Sequence, residues 1–441
     1  MRIGRELGFA IMAAAAMANA SASTLYEDYS AGIRRTQVVQ SLGDDAFGDT
    51  IGPYTGRVEF YVEDLSLPGN SGLDISIGRS IEAYDTGFRP SSVTFASVSL
   101  SIPRLEGVFA NEYESTGWVA QSDTDYTKPN VNRCSALSKA PPEVDGSRSD
   151  TSFESNEYWH GNHLVIPGKT KQLMLEAGPL IPAGYEWSTN QNWVFSCLPQ
   201  TSNGVAGEGF LAFSPDGVKY YFDRVIKHQD VTDVDKPDSF GTSITDIDRA
   251  EWYIYPSKVE DRFGNILNYA YTADNRLSEI ASSDGRRITF GYLADGSLAS
   301  ISDGSRTWQY SNGLRHVIYP DGSTWSMSVS GAFSKDPYAF KFYDCSHAPS
   351  PLITGQATTT IDLPSGARGV FAFSPNRRGM SYVPSQCHLG APGQGIVKVI
   401  DDIALTAKTI TGPGLTAASW TYAPGPANDS FSVDCASGCV D

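Results

Sequence analysis

The nine residues from Asp284 to Tyr292, DGRRITFGY, constrain this chain more than any other stretch, because the chain repeats the same design. FGNILNYAY stands at Phe263 to Tyr271, DGSRTWQY at Asp303 to Tyr310 and DGSTWSM at Asp321 to Met327. Aligned on Gly264, Gly285, Gly304 and Gly322, the copies lie 21, 19 and 18 residues apart. After each glycine the apolar side chains alternate. Leu267, Tyr269 and Tyr271 fall on one face, then Ile288, Phe290 and Tyr292, then Trp308 and Tyr310, then Trp325 and Met327. Asn268, Arg287, Thr289 and Gln309 fall on the other face, the pattern of a half-buried strand. A second run follows with apolar pairs three apart: Leu277/Ile280, Leu298/Ile301 and Leu314/Val317. Both members of such a pair face inward only if the strand bulges between them.

Each unit is therefore a two-stranded ribbon. An isolated ribbon is marginal in water, so its neighbours must cover its apolar face, which is the logic of a solenoid. SPDGVKYYFD (Ser214 to Asp223) and PSGARGVFAF (Pro364 to Phe373) are degenerate copies on either side. The predicted fold is all-β: stacked short antiparallel ribbons forming a spiral sheet or solenoid, preceded by an irregular β-rich region.

The rest of the chain divides by composition. Arg2 and Arg5, the apolar run Leu7 to Ala18 and the small residues Ala18 and Ala20 read as an export signal over 1–22. Residues 23–55 read as a polar leader, and 56–227 as the β-rich region, with an exposed loop at 121–158. Residues 228–250 read as an acidic linker, 251–330 as the repeats, and 331–441 as degenerate repeats with an incomplete C-terminus. An exported protein with six cysteines suggests disulfides, and six allow about 15 connectivities. Pairing of neighbours is expected: Cys134–Cys197, Cys345–Cys387 and Cys435–Cys439. A formal charge of −17 disfavours nucleic acid and anionic membrane as partners. No stretch after the signal reaches transmembrane length.

GNILNYAYTADNRLSEI and GRRITFGYLADGSLASI resemble the YD repeats of the Rhs family, whose pattern runs glycine, four variable residues, Tyr-x-Tyr-Asp, then Gly-Arg-Leu and Ile. In the first copy Tyr269, Tyr271, Arg276, Leu277 and Ile280 match, while Thr272 replaces the aspartate and Asn275 the glycine. In the second, Phe290, Tyr292, Gly296, Leu298 and Ile301 match. DLSLPGNSGLDISIGRSIEAYD (Asp64 to Asp85) is similar to the opening LPGNGGL segment of large Rhs and toxin-complex proteins, and Pro364 to Cys387 to a later segment of secreted Rhs proteins. The resemblance implies a spiral sheet forming a hollow shell around a C-terminal toxin. The family's Asp-Pro-x-Gly-Leu core end, toxin and self-cleavage site have no counterpart here. The expectation is thus an N-terminal portion of a larger protein or a truncated gene, whose partner is the remainder of a longer Rhs chain or a toxin cargo.

Chemical motifs weigh little against this. Gly207 to Ala212 spells GxGxxA, but a strand follows it where a dinucleotide site needs a helix. Gly69-Asn70-Ser71-Gly72 resembles a nucleophile loop, yet one loop cannot supply a triad. His160 and His163 read as loop residues, and Cys345, His347, Cys387 and His388 offer zinc ligand types that disulfides more often consume. Asp230, Asp233, Asp235, Asp238, Asp246 and Asp248 lack calcium-loop spacing. No catalytic residue, cofactor or metal is expected. The chain reads as a non-enzymatic scaffold, with a wall-associated glycan-binding module or adhesin as the alternative if the repeat aromatics are exposed.

Overall fold

The structure is a computed structural model. It describes residues 46–52, 56–69, 72–84, 95–110, 132–135, 141, 143–148, 151–153, 155–237, 243–335, 353–379 and 399–423. The protein is all-β: 59% of the described residues are strand and 1% helix, in antiparallel sheets that are not closed into a barrel. A first sheet holds β1 (Asp49–Ile51), β2 (Val58–Leu67), β3 (Ile75–Tyr84) and β4 (Phe95–Ser101), paired in that order. Then follow β5 (Arg104–Ala110), the small pair β6 (Val144–Asp145) and β7 (Ser152–Phe153), and one turn of helix, α1 (Ser155–Tyr158). The next strands are β8 (His163–Val165), β9 (Gln172–Leu173), β10 (Leu175–Glu176), β11 (Trp187–Ser188), β12 (Val194–Leu198) and β13 (Gly209–Phe213). A long hairpin follows, β14 (Lys219–Pro237) and β15 (Ile244–Glu260). The repeats supply β16 (Ile266–Tyr271), β17 (Leu277–Ser282), β18 (Arg287–Tyr292), β19 (Leu298–Ser302), β20 (Thr307–Ser311), β21 (His316–Ile318) and β22 (Thr324–Lys335). The last strands are β23 (Ile353–Asp362), β24 (Arg368–Gly379), β25 (Val399–Thr411) and β26 (Ala418–Thr421).

From β10 to β26 every strand pairs antiparallel with its successor in the chain, a single uninterrupted meander. The sheet also forks. One edge of β15 pairs with β14; the other serves β5 over Arg249–Ile254 and β16 over Lys258–Glu260. Pro256, which has no N–H to give, stands in the gap. A second junction lies at Gln172–Glu176, where β9 pairs with β8 and, one residue on, β10 pairs with β11. The strands joined through these junctions enclose Leu105, Leu164, Met174, Trp187, Trp193, Phe195, Phe210 and Phe222 in one core.

The repeats show why their spelling folds this way. Gly217, Gly264, Gly285, Gly304, Gly322 and Gly366 all hold φ between 81° and 93° in their turns, the left-handed region that glycine occupies without strain. The second turn of the first unit puts Asn275 at φ 65° where the next unit has Gly296 at 88°. Asparagine is among the side chains that best tolerate that region. The apolar pairs three apart are made possible by bulges. Ala270 opposes Glu279 while Tyr271 opposes Leu277, and Gly291 opposes Ser300 while Tyr292 opposes Leu298. Ser278 and Ala299 are the extra residues.

Four sequence expectations need correction. Leu314 lies outside β21, in a turn at φ 65°, so the third apolar pair is not one strand; Asn312 and Gly313 before it are both in the left-handed region, which bends the chain before the strand starts. The stretch 228–250 is no linker over its described residues but the far end of the β14–β15 hairpin. Val234 and Ile247 are buried there with Val144, Phe153 and Tyr158, and Asp246 and Asp248 flank Ile247 on the outward half of the alternation. Within 121–158, Cys134, Val144, Phe153 and Tyr158 are buried, so these points of the stretch pack against the sheet, while Asn132, Ser135, Glu143, Asp145, Ser147 and Arg148 are exposed as expected. The leader of 23–55 ends earlier than expected, because Phe47 and Asp49 are buried and β1 joins the first sheet.

Candidate functional site

The first sheet is fastened to the repeat wall by charged side chains. On β3, Ile75, Ile77, Arg79 and Ile81 share the inward face, and Arg79 is as buried as its neighbours. Its guanidinium donates two hydrogen bonds of 2.8 Å to Asp64 of β2 and a third of 2.8 Å to the Leu314 carbonyl oxygen. It stacks 3.9 Å from the Trp325 ring centre. Asp64 also accepts from the hydroxyls of Tyr310 at 3.1 Å and Tyr319 at 3.2 Å. Burial, followed by the Asp64 charge, pushes both phenols up.

Two more arginines cross the same seam. Arg286, from the turn of DGRRITFGY, donates to the carbonyl oxygens of Leu67 at 2.6 Å and Leu73 at 3.0 Å. A Cβ on Gly69 would overlap the Leu73 oxygen and the Arg286 guanidinium, so that position of LPGNSGL must be glycine for the repeats to dock. Arg315 donates to the Ala96 carbonyl oxygen at 2.8 Å. Farther along, Lys408 of β25 meets Asp49 of β1, and Arg57 meets Asp402.

Beside the fork of β15 the wall opens into a notch of about 380 Å³, where β4, β5, β15 and the first repeats diverge. Tyr253, Tyr255, Tyr271 and Tyr292 line it, with Arg104 and Arg276. The ring of Tyr253 carries Arg104 at 4.5 Å, that of Tyr271 carries Arg224 at 4.5 Å, and that of Tyr292 carries Arg276 at 5.0 Å. The hydroxyl of Tyr271 donates to the Pro256 carbonyl oxygen at 2.7 Å, and that of Tyr292 to Leu277 at 2.7 Å. In both units the second aromatic, a tyrosine, thus bonds to the backbone of the adjoining strand. Below the notch, Glu106 accepts from Arg104 and pairs with Lys171. Burial opposes the Glu106 charge, but Lys171 and Arg104 overcome it and hold the carboxyl below its ordinary range. Glu251 is pushed up, by burial first and by Glu106 next.

Among the residues singled out from sequence, Leu277, Ile280, Phe290, Ile301, Trp308, Tyr310, Val317 and Trp325 are buried. Tyr269, Tyr271, Tyr292, Leu298 and Leu314 are half-buried. Cys134 and Cys197 form a disulfide; Cys345, Cys387, Cys435 and Cys439 lie outside the described residues, as do His347 and His388. His160 is exposed, and His163 lies on β8 near Lys171 and Glu106, where burial and then Lys171 lower it to about 4. Gly209 begins strand β13, and Glu208 binds the backbone N–H groups of Cys134 and Ser135. Ligand oxygens of Asp233, Asp246 and Asp248 lie within 4.8 Å of one another, and burial, then Asp248 and Asp246, push Asp233 up. The side chains of Asp230, Asp235 and Asp238 lie outside the described residues, and so do Asn70 and Ser71. No helix of the described residues is long and apolar enough to cross a membrane. The seam residues Asp64, Arg79, Arg286, Asp49 and Lys408 were not foreseen. Their signal is a charge on the inward face of an otherwise apolar alternation, as at Arg79.

No family model matches the chain, and no curated protein does. Among solved structures, it is similar to a chain of the structure described as "Crystal Structure of TcdB2-TccC3-TEV", at 10% identity and a TM-score of 0.19. The match covers 80% of this chain and spans 15% of that one, and at that score the likeness carries no argument.

Proposed function

We propose that this chain is a non-enzymatic structural segment of an exported Rhs-type repeat protein, forming part of a β wall or surface scaffold. The observation that carries this reading is the meander from β10 to β26, whose repeat aromatics are spent on construction. Trp308, Tyr310 and Trp325 are buried, and the hydroxyls of Tyr271 and Tyr292 are bonded to neighbouring backbone. The YD-like spelling of the repeats supports the family, and the Cys134–Cys197 disulfide supports an oxidising, exported setting. In this reading a toxin cargo or the remainder of a longer chain is the partner.

The tyrosine-lined notch favours a second reading, a glycan-binding module, because tyrosine faces stack well on sugar rings. A glycan array with the purified chain, run beside thermal melts of a Tyr271→Phe variant, separates the two. A wall gives no saturable binding and a lowered melting temperature in the variant. Saturable binding that Tyr255→Ala abolishes without altering the melt would overturn the wall reading in favour of the module.

A further inference from the structure

Lys408 and Asp49 are both completely buried, and Lys408 Nζ lies 2.5 Å from Asp49 Oδ2. The pair joins strands 359 residues apart in sequence. Its surroundings are aromatic. Lys408 is flanked across the ladder by Phe371 on β24 and Trp420 on β26, each ring centre 5.5 Å from Nζ, and Asp49 is opposite Phe60 on β2. Phe60 packs edge-on against Phe371 at 4.9 Å, closing that wall.

A buried ion pair is favourable when further hydrogen bonds satisfy its remaining polar atoms. The Asp64–Arg79 pair meets that condition: its carboxylate accepts from Arg79, Tyr310 and Tyr319 together. Asp49 does not, since its Oδ1 is buried with no hydrogen-bond partner among the described residues. An amine and a carboxyl held in contact, fully buried and lined by aromatic rings, are arranged for condensation.

We propose that Lys408 Nζ and Asp49 Cγ become joined by an intramolecular isopeptide bond, stapling the first described strand of the protein to its penultimate one. One proton passes from the ammonium to Oδ2 across the existing hydrogen bond, which leaves a neutral amine beside a neutral acid. The nitrogen lone pair then forms the bond to Cγ. The C–Oδ2 bond breaks, and Oδ2 leaves as water with that proton and a second one from the nitrogen. Oδ1 remains as the amide oxygen. No oxidant or co-reactant is needed. Contact between the reacting groups supplies the effective concentration, and exclusion of water protects the product from hydrolysis. Burial pushes the Asp49 carboxyl up against the opposing pull of Lys408, which favours the neutral acid the reaction requires.

The test is the intact mass of the purified full chain, denatured and with disulfides reduced, followed by peptide mapping. The wild type is expected to be lighter than its calculated mass by one water, and its digest to hold a branched peptide joining the Asp49 and Lys408 segments. Lys408→Arg and Asp49→Ala should show their full calculated masses, and Asp49→Asn should be lighter by one ammonia. Masses are read on denatured chains, so the wild-type result stands even if a variant folds poorly. A wild type at full mass, or a branch between other residues, overturns the proposal.

Discussion

Arg79 and Asp64 are joined by two hydrogen bonds of 2.8 Å, and neither side chain reaches solvent. This pair lies in the first sheet, yet its remaining valences go to Tyr310, Leu314 and Tyr319 in the repeats. Replacing Arg79 by methionine leaves a buried carboxylate with its main partner gone, so stability should fall by about 3–5 kcal/mol in denaturant unfolding. A loss under about 1 kcal/mol would show that the seam does not depend on the pair.

Gly69 and Arg286 occupy the same space, one by omission. Gly69→Ala should lower the melting temperature, and so should Arg286→Ala. The double variant should be less destabilised than the two effects added, because the guanidinium that the added methyl group overlaps is gone, while the overlap with the Leu73 oxygen remains in both backgrounds. Simple additivity in thermal melts would refute the shared site.

Tyr292→Phe removes the hydroxyl that binds the Leu277 carbonyl oxygen. The expected cost is about 1–2 kcal/mol, and Tyr271→Phe should match it because the contact to Pro256 is the same. Unequal effects beyond about 1 kcal/mol, measured by urea unfolding, would mean that the two units are not equivalent.

The disulfide ties Cys134, in a turn, to β12 across a separation of 63 residues. Opening a loop of that length should cost about 4 kcal/mol in the chain-entropy view. The Cys134→Ser variant, compared with wild type by calorimetry under oxidising conditions, checks this. Glu208 also holds Cys134 and Ser135 through their backbone N–H groups, so part of the turn should persist without the bond.

Acid should act through Glu106. Its carboxyl is held below the ordinary 4.5, so its contribution is complete above that pH and drains as pH falls through the depressed value. Glu251 has the opposite sign: its raised carboxyl costs stability as pH climbs from 4.5 through the raised value. Melting temperature against pH should therefore flatten on the acid side in Glu106→Gln and on the neutral side in Glu251→Gln. Unchanged profiles would remove both groups from the balance.

The sheet was legible because the repeats obey two rules that are local. Glycines at the turns and alternation after them predict the strands, and Asn268, Arg287, Thr289 and Gln309 are exposed as that alternation requires. In the acidic stretch composition outweighs pattern: Val234 and Ile247 are too few to announce a strand beside so many aspartates. The seam was invisible for another reason. Arg79 on an inward face signals that a buried partner exists, but its contact with Leu314 lies 235 residues away, and no local rule carries that distance.

The wall bonds strand to next strand, while the sheet of β1 to β4 makes its key contacts with residues far downstream. A polypeptide leaving a ribosome or a translocation pore presents that sheet early. Arg286, Tyr310, Leu314 and finally Lys408, which it contacts, emerge later. The buried side chains of that sheet, Arg79 and Asp64 first among them, thus find their last partners only when residues 235 or more positions downstream have emerged.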